Sequence, residues 1–225
     1  MSFNIAIDGP AGAGKSTIAR AAARSLGFLY VDTGAMYRAI ALHLLRNHVE
    51  ADQTERIKEL LADMTIRISY SGGEQQIILN DENVTSQLRQ EEVGNMASKS
   101  SANPKVREKL LQLQRDIARD NDVIMDGRDI GTFVLPNADV KVYLTASVEE
   151  RAKRRYLELE EKGMDADMSK IEQDIRTRDF QDMNRSIAPL KQAEDAVVID
   201  SSQMSIPEVM DRIVDAFQES LKLKG

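Results

Sequence analysis

The chain contains no cysteine and no tryptophan, and only 4% of its 225 residues are aromatic. Without cysteine there can be no disulfide and no thiolate metal site, an absence that fits a reducing cytoplasm. The two histidines, His43 and His48, fall on one predicted helix with no acid or serine partner beside them, which argues for surface residues rather than a catalytic triad. Positive charge is also scarce, since 30 Lys and Arg face 37 Asp and Glu and leave a formal net charge of −7. Nucleic-acid-binding domains usually present a basic face, so none is expected here and any phosphate binding must be local. No apolar run approaches the roughly 20 residues of a membrane helix. The apolar start is broken at once by Asp8 and the glycines that follow, so no secretory signal is expected. Internal repeats and low-complexity tracts are lacking too. What remains is 42% hydrophobic and 30% charged, enough for one α/β core with room for an inserted lobe and too short for two large domains.

The richest local signal is Gly9-Pro10-Ala11-Gly12-Ala13-Gly14-Lys15-Ser16, which fills every fixed position of the phosphate-loop pattern G-x-x-x-x-G-K-[ST]. The apolar run Phe3 to Asp8 precedes it and the alanine-rich stretch Thr17 to Leu26 follows it, as strand, loop and helix require. Glycines at 9, 12 and 14 let the backbone turn its N–H groups onto an anion. A helix starting near Lys15 adds its positive end, Lys15 can reach the β- and γ-phosphates, and the Ser16 hydroxyl is placed to ligate Mg²⁺. A dinucleotide fingerprint with Asp32 as its ribose-binding acid is the main rival. It fails because the third glycine is missing and a lysine stands beside a serine.

Strand and helix patterns alternate at both ends of the chain, the signature of a mostly parallel sheet with helices on both faces. The predicted strands are Phe3–Asp8, Phe28–Asp32, Asp122–Asp126, Val140–Thr145 and Ala196–Asp200. Each is short and nearly unalternated, as strands buried on both faces are. Gly27 stops the first helix, and Asn103-Pro104 opens another with Val106, Leu110, Leu113 and Ile117. The last helix, Ser205 to Leu221, turns Ile206, Val209, Ile213, Val214 and Phe217 inward.

Two segments break this pattern. From Thr65 to Thr85 the sequence reads as a small antiparallel meander with a Gly72-Gly73 hairpin and a second turn around Asp81-Glu82-Asn83, within an expected inserted lobe at 62–100. From Glu149 to Arg185 it mixes acids with Arg151, Lys153, Arg154, Arg155, Arg176, Arg178 and Arg185, and Gly163-Met164-Asp165 divides it into two helical halves. Most such charges are solvated helix faces. Arginines meeting a migrating phosphoryl group would come from such a segment, so 151–185 is expected to be a mobile two-helix lid.

Two further clusters follow core strands, at the strand ends where ligands bind in open α/β sheets. Asp126-Gly127-Arg128-Asp129 offers Asp126 as a water-mediated magnesium ligand and a donor–acceptor pair in Arg128 and Asp129. Asp32-Thr33-Gly34-Ala35-Met36-Tyr37-Arg38 offers two hydroxyls and a guanidinium, with an ordinary helix cap by Thr33 as a compatible reading.

Taken in order, GPAGAGKS, VDTGAMYR, PKVRE, MDGRDIGT and RDFQDMNRSIAPL closely resemble the bacterial cytidylate kinases, over nearly the whole chain. The resemblance implies a fold of the P-loop NTPase type, and transfer of the γ-phosphate of ATP to CMP or dCMP with Mg²⁺. It implies ATP binding by Gly9, Pro10, Ala11, Gly12, Ala13, Gly14, Lys15, Ser16 and Thr17, with Arg154 as the lid arginine that meets ATP. Thr33, Tyr37 and Arg38 would line the CMP site, and Ser98, Arg107, Arg128 and Asp129 would surround cytosine and phosphate. Arg178, Asp182 and Arg185 would approach the ribose and the phosphoryl groups. Lys15, Arg128, Arg154, Arg178 and Arg185 would carry the catalysis, Ser16 and Asp126 the metal. A cytoplasmic monomer without nucleic-acid or membrane partners is also implied. The CMP phosphate is already an anionic nucleophile, so no Asp or Glu base is needed. A kinase for another small acceptor, shikimate-like for example, and a nucleotide switch without transfer are the alternatives; no Asn-Lys-x-Asp stretch supports the switch.

Overall fold

The structure, a computed structural model, describes residues 2–224; Met1 and Gly225, the ends of the expected single domain 1–225, lie outside the described residues. In chain order the elements are β1 (Asn4–Asp8), α1 (Lys15–Leu26), β2 (Leu29–Asp32), α2 (Thr33–Arg46), α3 (Thr54–Ala62), β3 (Ile66–Ser71), β4 (Glu74–Leu79), β5 (Glu82–Asn83), α4 (Glu91–Ser100), α5 (Pro104–Asp120), β6 (Val123–Gly127), β7 (Val140–Thr145), α6 (Val148–Glu161), α7 (Met168–Asn184), β8 (Val197–Asp200) and α8 (Ile206–Lys224). A π-helical turn, Ile130–Val134, follows β6. The chain divides into two compact units, Met1–Tyr30 with Asn121–Gly225, and Val31–Asp120.

The first unit is built on a five-stranded sheet in the order β2-β6-β1-β7-β8. β1 pairs in parallel with β6 and β7, and β7 with β8. The apolar runs of β1 and β6 fill the centre, with Ile5, Ile7, Ile124 and Leu144 fully buried against Ile18, Ala19 and Ala22 of α1 and Val209 and Ile213 of α8. Phe3, Phe28 and Phe217 close one end as an aromatic trio with centroids 4.9 to 5.9 Å apart. Register sets the chemistry: Asp8 pairs with Gly127, so the chain leaves β1 and β6 at the same sheet edge. Gly27 does end α1, in the left-handed region that glycine tolerates.

Several expectations are corrected here. β7 alternates buried and half-buried positions, and in β8 only Ile199 is buried, because β8 is the last strand of the sheet and one side is open. Ile206 is 52% exposed; it sits in the first turn of α8, beside the Ser205–Glu208 capping box, before the inward stripe of Val209 and Ile213 begins. His48 is not helical but follows α2 with a φ of 52°, whereas His43 is on α2 and half-buried. α6 and α7 are joined around Gly163 and share a small core of Ala152, Ile171 and Ile175, apolar pattern that the charge run hid.

The second unit holds a three-stranded antiparallel sheet, β3-β4-β5, with α2 packed on α4 and α5, and α3 on α5. Gly72 and Gly73 both have positive φ, as a two-residue turn between twisted strands demands. The second turn falls on Asn80-Asp81, one residue earlier than expected, and leaves Glu82–Asn83 as β5. Segment 62–100 lies inside this unit, which also takes in α2, α3 and α5.

Candidate active site

The phosphate loop connects β1 to α1. β7 passes so close that a Cβ on Gly9 would stand 1.9 Å from the Leu144 carbonyl oxygen, and Gly12 and Gly14 have φ of 76° and 85°. Lys15, the first residue of α1, is 5% exposed and its Nζ donates to the Pro10 carbonyl at 2.8 Å. Burial pushes its pKa down to about 7; Arg128 pushes the same way, while Asp126, Asp8 and Asp182 oppose. An arriving phosphate would restore the charge. The Ser16 hydroxyl donates to Asp126 Oδ2 at 3.0 Å and the Tyr30 hydroxyl to Asp126 Oδ1 at 2.9 Å. Thus Ser16 and Asp126, the two expected metal residues, meet at the start of α1.

Beyond β6 the chain turns under a second carboxylate. Asp8 accepts from the backbone N–H groups of Ile130 and Gly131 at 2.8 and 2.7 Å. Its pKa rises to about 6 because burial outweighs those two bonds. The turn presents Arg128 and Asp129 to α7: Arg128 Nε donates to Asp182 at 2.8 Å, Arg185 Nη2 donates to Asp129 at 2.9 Å, and Arg185 also lies 3.8 Å from Asp182. Burial tends to lower the pKa of Arg128, and the facing carboxylates of Asp182, Asp126 and Asp179 more than offset it. Four expected residues therefore form one charged network. Arg178 is exposed on α7. Arg154 donates to the carbonyl and hydroxyl of Ser201 at 2.7 and 3.2 Å, and its guanidinium would lie 3.8 Å from a Cβ on Gly14, beside the loop.

The second unit arranges its own candidates around the start of α2. The helix cap is Asp32, not Thr33: the Asp32 side chain accepts from Ala35 N at 2.9 Å, and Thr33, one residue later, is helical and buried. Gln75 of β4 fixes Asp32 by bonding both its N–H and its carbonyl. The Arg38 guanidinium would come within 3.4 Å of a Cβ on Gly34, so that glycine leaves it room. Arg107 is 4% exposed, donates to the Ser101 carbonyl at 3.2 Å, and lies 5.7 Å over the Tyr37 ring. The Ser98 carbonyl accepts from the Ser101 hydroxyl.

Four buried polar residues of the first unit escaped the sequence reading: Asp8, Arg151, Asp179 and Ser201. In the sequence Asp8 reads only as the strand's last residue, although it directly precedes the glycine loop. Arg151 and Asp179 were absorbed in a charge run, yet both stand one helical turn from expected site residues, Arg154 and Asp182.

A family model described as cytidylate kinase matches residues 5–219. A cytidylate kinase of Caldicellulosiruptor saccharolyticus is 50% identical over 96% of this chain and 95% of its own length, and one of Caldicellulosiruptor bescii is 50% identical over 98% and 97%. That of Pasteurella multocida is 46% identical over 98% and 97%. Among solved structures, an uncharacterized protein from Eubacterium ventriosum superposes with a TM-score of 0.54 at 11% identity, covering 95% of this chain and 97% of that one, a likeness of fold.

Proposed function

We infer the activity of this chain from its family: it belongs to the cytidylate kinases, and it phosphorylates CMP and dCMP with ATP as the phosphoryl donor. The observation that carries the residue-level reading is the buried Lys15 at the head of α1, beside the Ser16–Asp126 pair and within the field of Arg128 and Asp182. In this proposal the backbone N–H groups of the loop 9–17, which all its residues but Pro10 possess, hold the ATP phosphates, and Lys15 neutralises charge on the β- and γ-phosphates. An oxygen of the CMP phosphate attacks the γ-phosphorus in line as the bond to the bridging β–γ oxygen breaks, and the electron pair leaves with ADP. Arg128, Arg178 and Arg185 stabilise the three equatorial oxygens, Arg154 serves ATP, and Asp182 orients Arg128 and Arg185. Thr33, Tyr37, Arg38, Ser98, Arg107 and Asp129 recognise the nucleoside monophosphate. No side-chain base is required, because the nucleophile is already ionised.

A magnesium ion fits the oxygens present. Ser16 and Asp126 provide one hydroxyl and one carboxylate 3.0 Å apart, the hard and incomplete donor set that Mg²⁺ accepts when phosphates and waters fill the other positions. No cluster of three or more His, Cys, Asp or Glu suited to a metal occurs among the described residues. Held by Ser16 and, through water, by Asp126, the ion would supply positive charge to neutralise the phosphates.

No helix among the described residues is long and apolar enough to cross a membrane. The proposal includes a cytoplasmic location, with which the cysteine-free composition agrees, and a monomeric state, which rests on the family resemblance alone. Coupled measurement of ADP release with CMP, dCMP, UMP, AMP and shikimate tests the function. CMP and dCMP should give the highest kcat/KM; preference for AMP or shikimate would overturn the assignment.

A further inference from the structure

Arg151 is a guanidinium buried against the outer side of the phosphate loop. It is 4% exposed, and its Cβ would stand 3.3 Å from a Cβ on Gly12. Its Nη1 donates to the Ala11 carbonyl at 3.0 Å and to Asp179 Oδ2 at 2.7 Å, and its Nε donates to the Ala146 carbonyl at 2.9 Å. One rigid fork thus joins the loop, the end of β7 and α7. Asp179 is 8% exposed and its Oδ1 has no hydrogen-bond partner. A half-satisfied buried carboxylate costs stability, so its presence calls for a gain elsewhere.

The peptide linking Ala11 to Gly12 supplies one. In a planar trans peptide the C=O and the N–H point in opposite directions. Holding the Ala11 carbonyl on Arg151 therefore turns the Gly12 N–H to the other side of the loop, where an anion is to be bound. The same guanidinium is tied to α7, whose next turn carries Asp182 and whose C-terminal cap is Arg185. Asp179 also lies in the field of Arg128.

We propose that Arg151 and Asp179 are a positioning pair that fixes the Ala11–Gly12 peptide for the ATP phosphates and ties it to the helix that carries Asp182 and is capped by Arg185. The inference rests on the reading of residues 9–17 as the ATP site. Neither residue touches substrate in this proposal; both act through the peptide. Lysine at 151 keeps the charge for Asp179 but lacks the planar fork that also reaches Ala11 and Ala146, so orientation is lost while the ion pair survives.

The test measures magnesium–ATP binding by calorimetry, together with kcat and the KM for CMP, in wild type, Arg151→Lys, Asp179→Asn and the double variant. Arg151→Lys should weaken ATP binding about tenfold and lower kcat about tenfold, with the KM for CMP changed less than about twofold. The double variant should be no worse than Arg151→Lys by more than about twofold, since both residues act on one peptide. A folded Arg151→Lys that binds ATP as wild type does overturns the proposal, as do effects of the two substitutions that multiply. If Arg151→Lys does not fold, Asp179→Asn decides: at least threefold weaker ATP binding supports the pair, and unchanged binding overturns it. Failure of wild type to bind magnesium–ATP would instead sink the ATP-site reading itself.

Discussion

Replacing Lys15 by methionine should make the nucleotide-free protein more stable and nearly inactive. Methionine keeps most of the buried stem and removes the ammonium group, whose pKa burial lowers from 10.5 to about 7. A difference of about 3.5 units at 1.36 kcal/mol per unit corresponds to a penalty on the order of 5 kcal/mol at pH 7 and below. Loss of the 2.8 Å bond to the Pro10 carbonyl returns about 1 kcal/mol of that. The net gain is then roughly 3–4 kcal/mol, or about 10 °C in melting midpoint for a chain of this size. The sign fixes the pH dependence. Between pH 7 and 10.5 the unfolded chain holds a proton that the folded chain has released, so wild-type stability rises with pH in this window while the variant lacks the slope. The stability difference should therefore shrink by about 2 kcal/mol from pH 7 to pH 9. Turnover should fall by about 10²–10³, as when a group aimed at transition-state charge is deleted. Denaturant melts at pH 7, 8 and 9 with the coupled kinase assay decide it. A variant no more stable than wild type at pH 7, or a gain independent of pH, would refute the electrostatic reasoning, and retention of more than a tenth of turnover would refute the role.

Asp129→Ala should lower kcat/KM for CMP far more than for UMP, because the carboxylate it removes can accept from the exocyclic amine of cytosine, whereas uracil presents an acceptor there; equal losses would assign Asp129 to contacts such as its bond with Arg185. Gly9→Ala should cost more than about 4 kcal/mol or prevent folding, since the added Cβ meets the Leu144 carbonyl at 1.9 Å in backbone that cannot yield easily; a melt within 2 °C of wild type would contradict this close approach. Hydrogen exchange across 151–185 should slow when ATP and CMP analogues are added together, with little change in β1; equal protection with and without nucleotides would remove the lid.

Legibility in the sequence followed the reach of each interaction. The loop, the core strands and the Gly72-Gly73 turn depend on local backbone geometry and on runs of apolar residues, so adjacent residues carry the signal. Errors fell where position in the sheet decides the outcome. β8 has a core-like sequence but lies at an edge, and Val198 is 45% exposed there. The cap of α2 went to Asp32 over Thr33 because the helix starts one residue earlier than its hydroxyls suggest.

Buried polar residues were the hardest to read, for a physical reason. An arginine in a run of Glu, Lys and Arg has the same local signature whether it faces water or the underside of a loop 140 residues away, as Arg151 does. What distinguishes it is partnership: a buried charge is tolerated only with acceptors already in place, and Ala11, Ala146 and Asp179 come together only in the folded unit. The same holds for Asp8, whose two acceptor bonds to the turn after Asp129 cross 122 and 123 residues of sequence. A motif names the groups that touch the phosphates; the groups that hold the motif in shape are set by the fold. Substitutions at Asp8, Arg151 and Asp179 should consequently change how well the phosphate loop and the Asp129 turn are held, while leaving every residue of the motif in place.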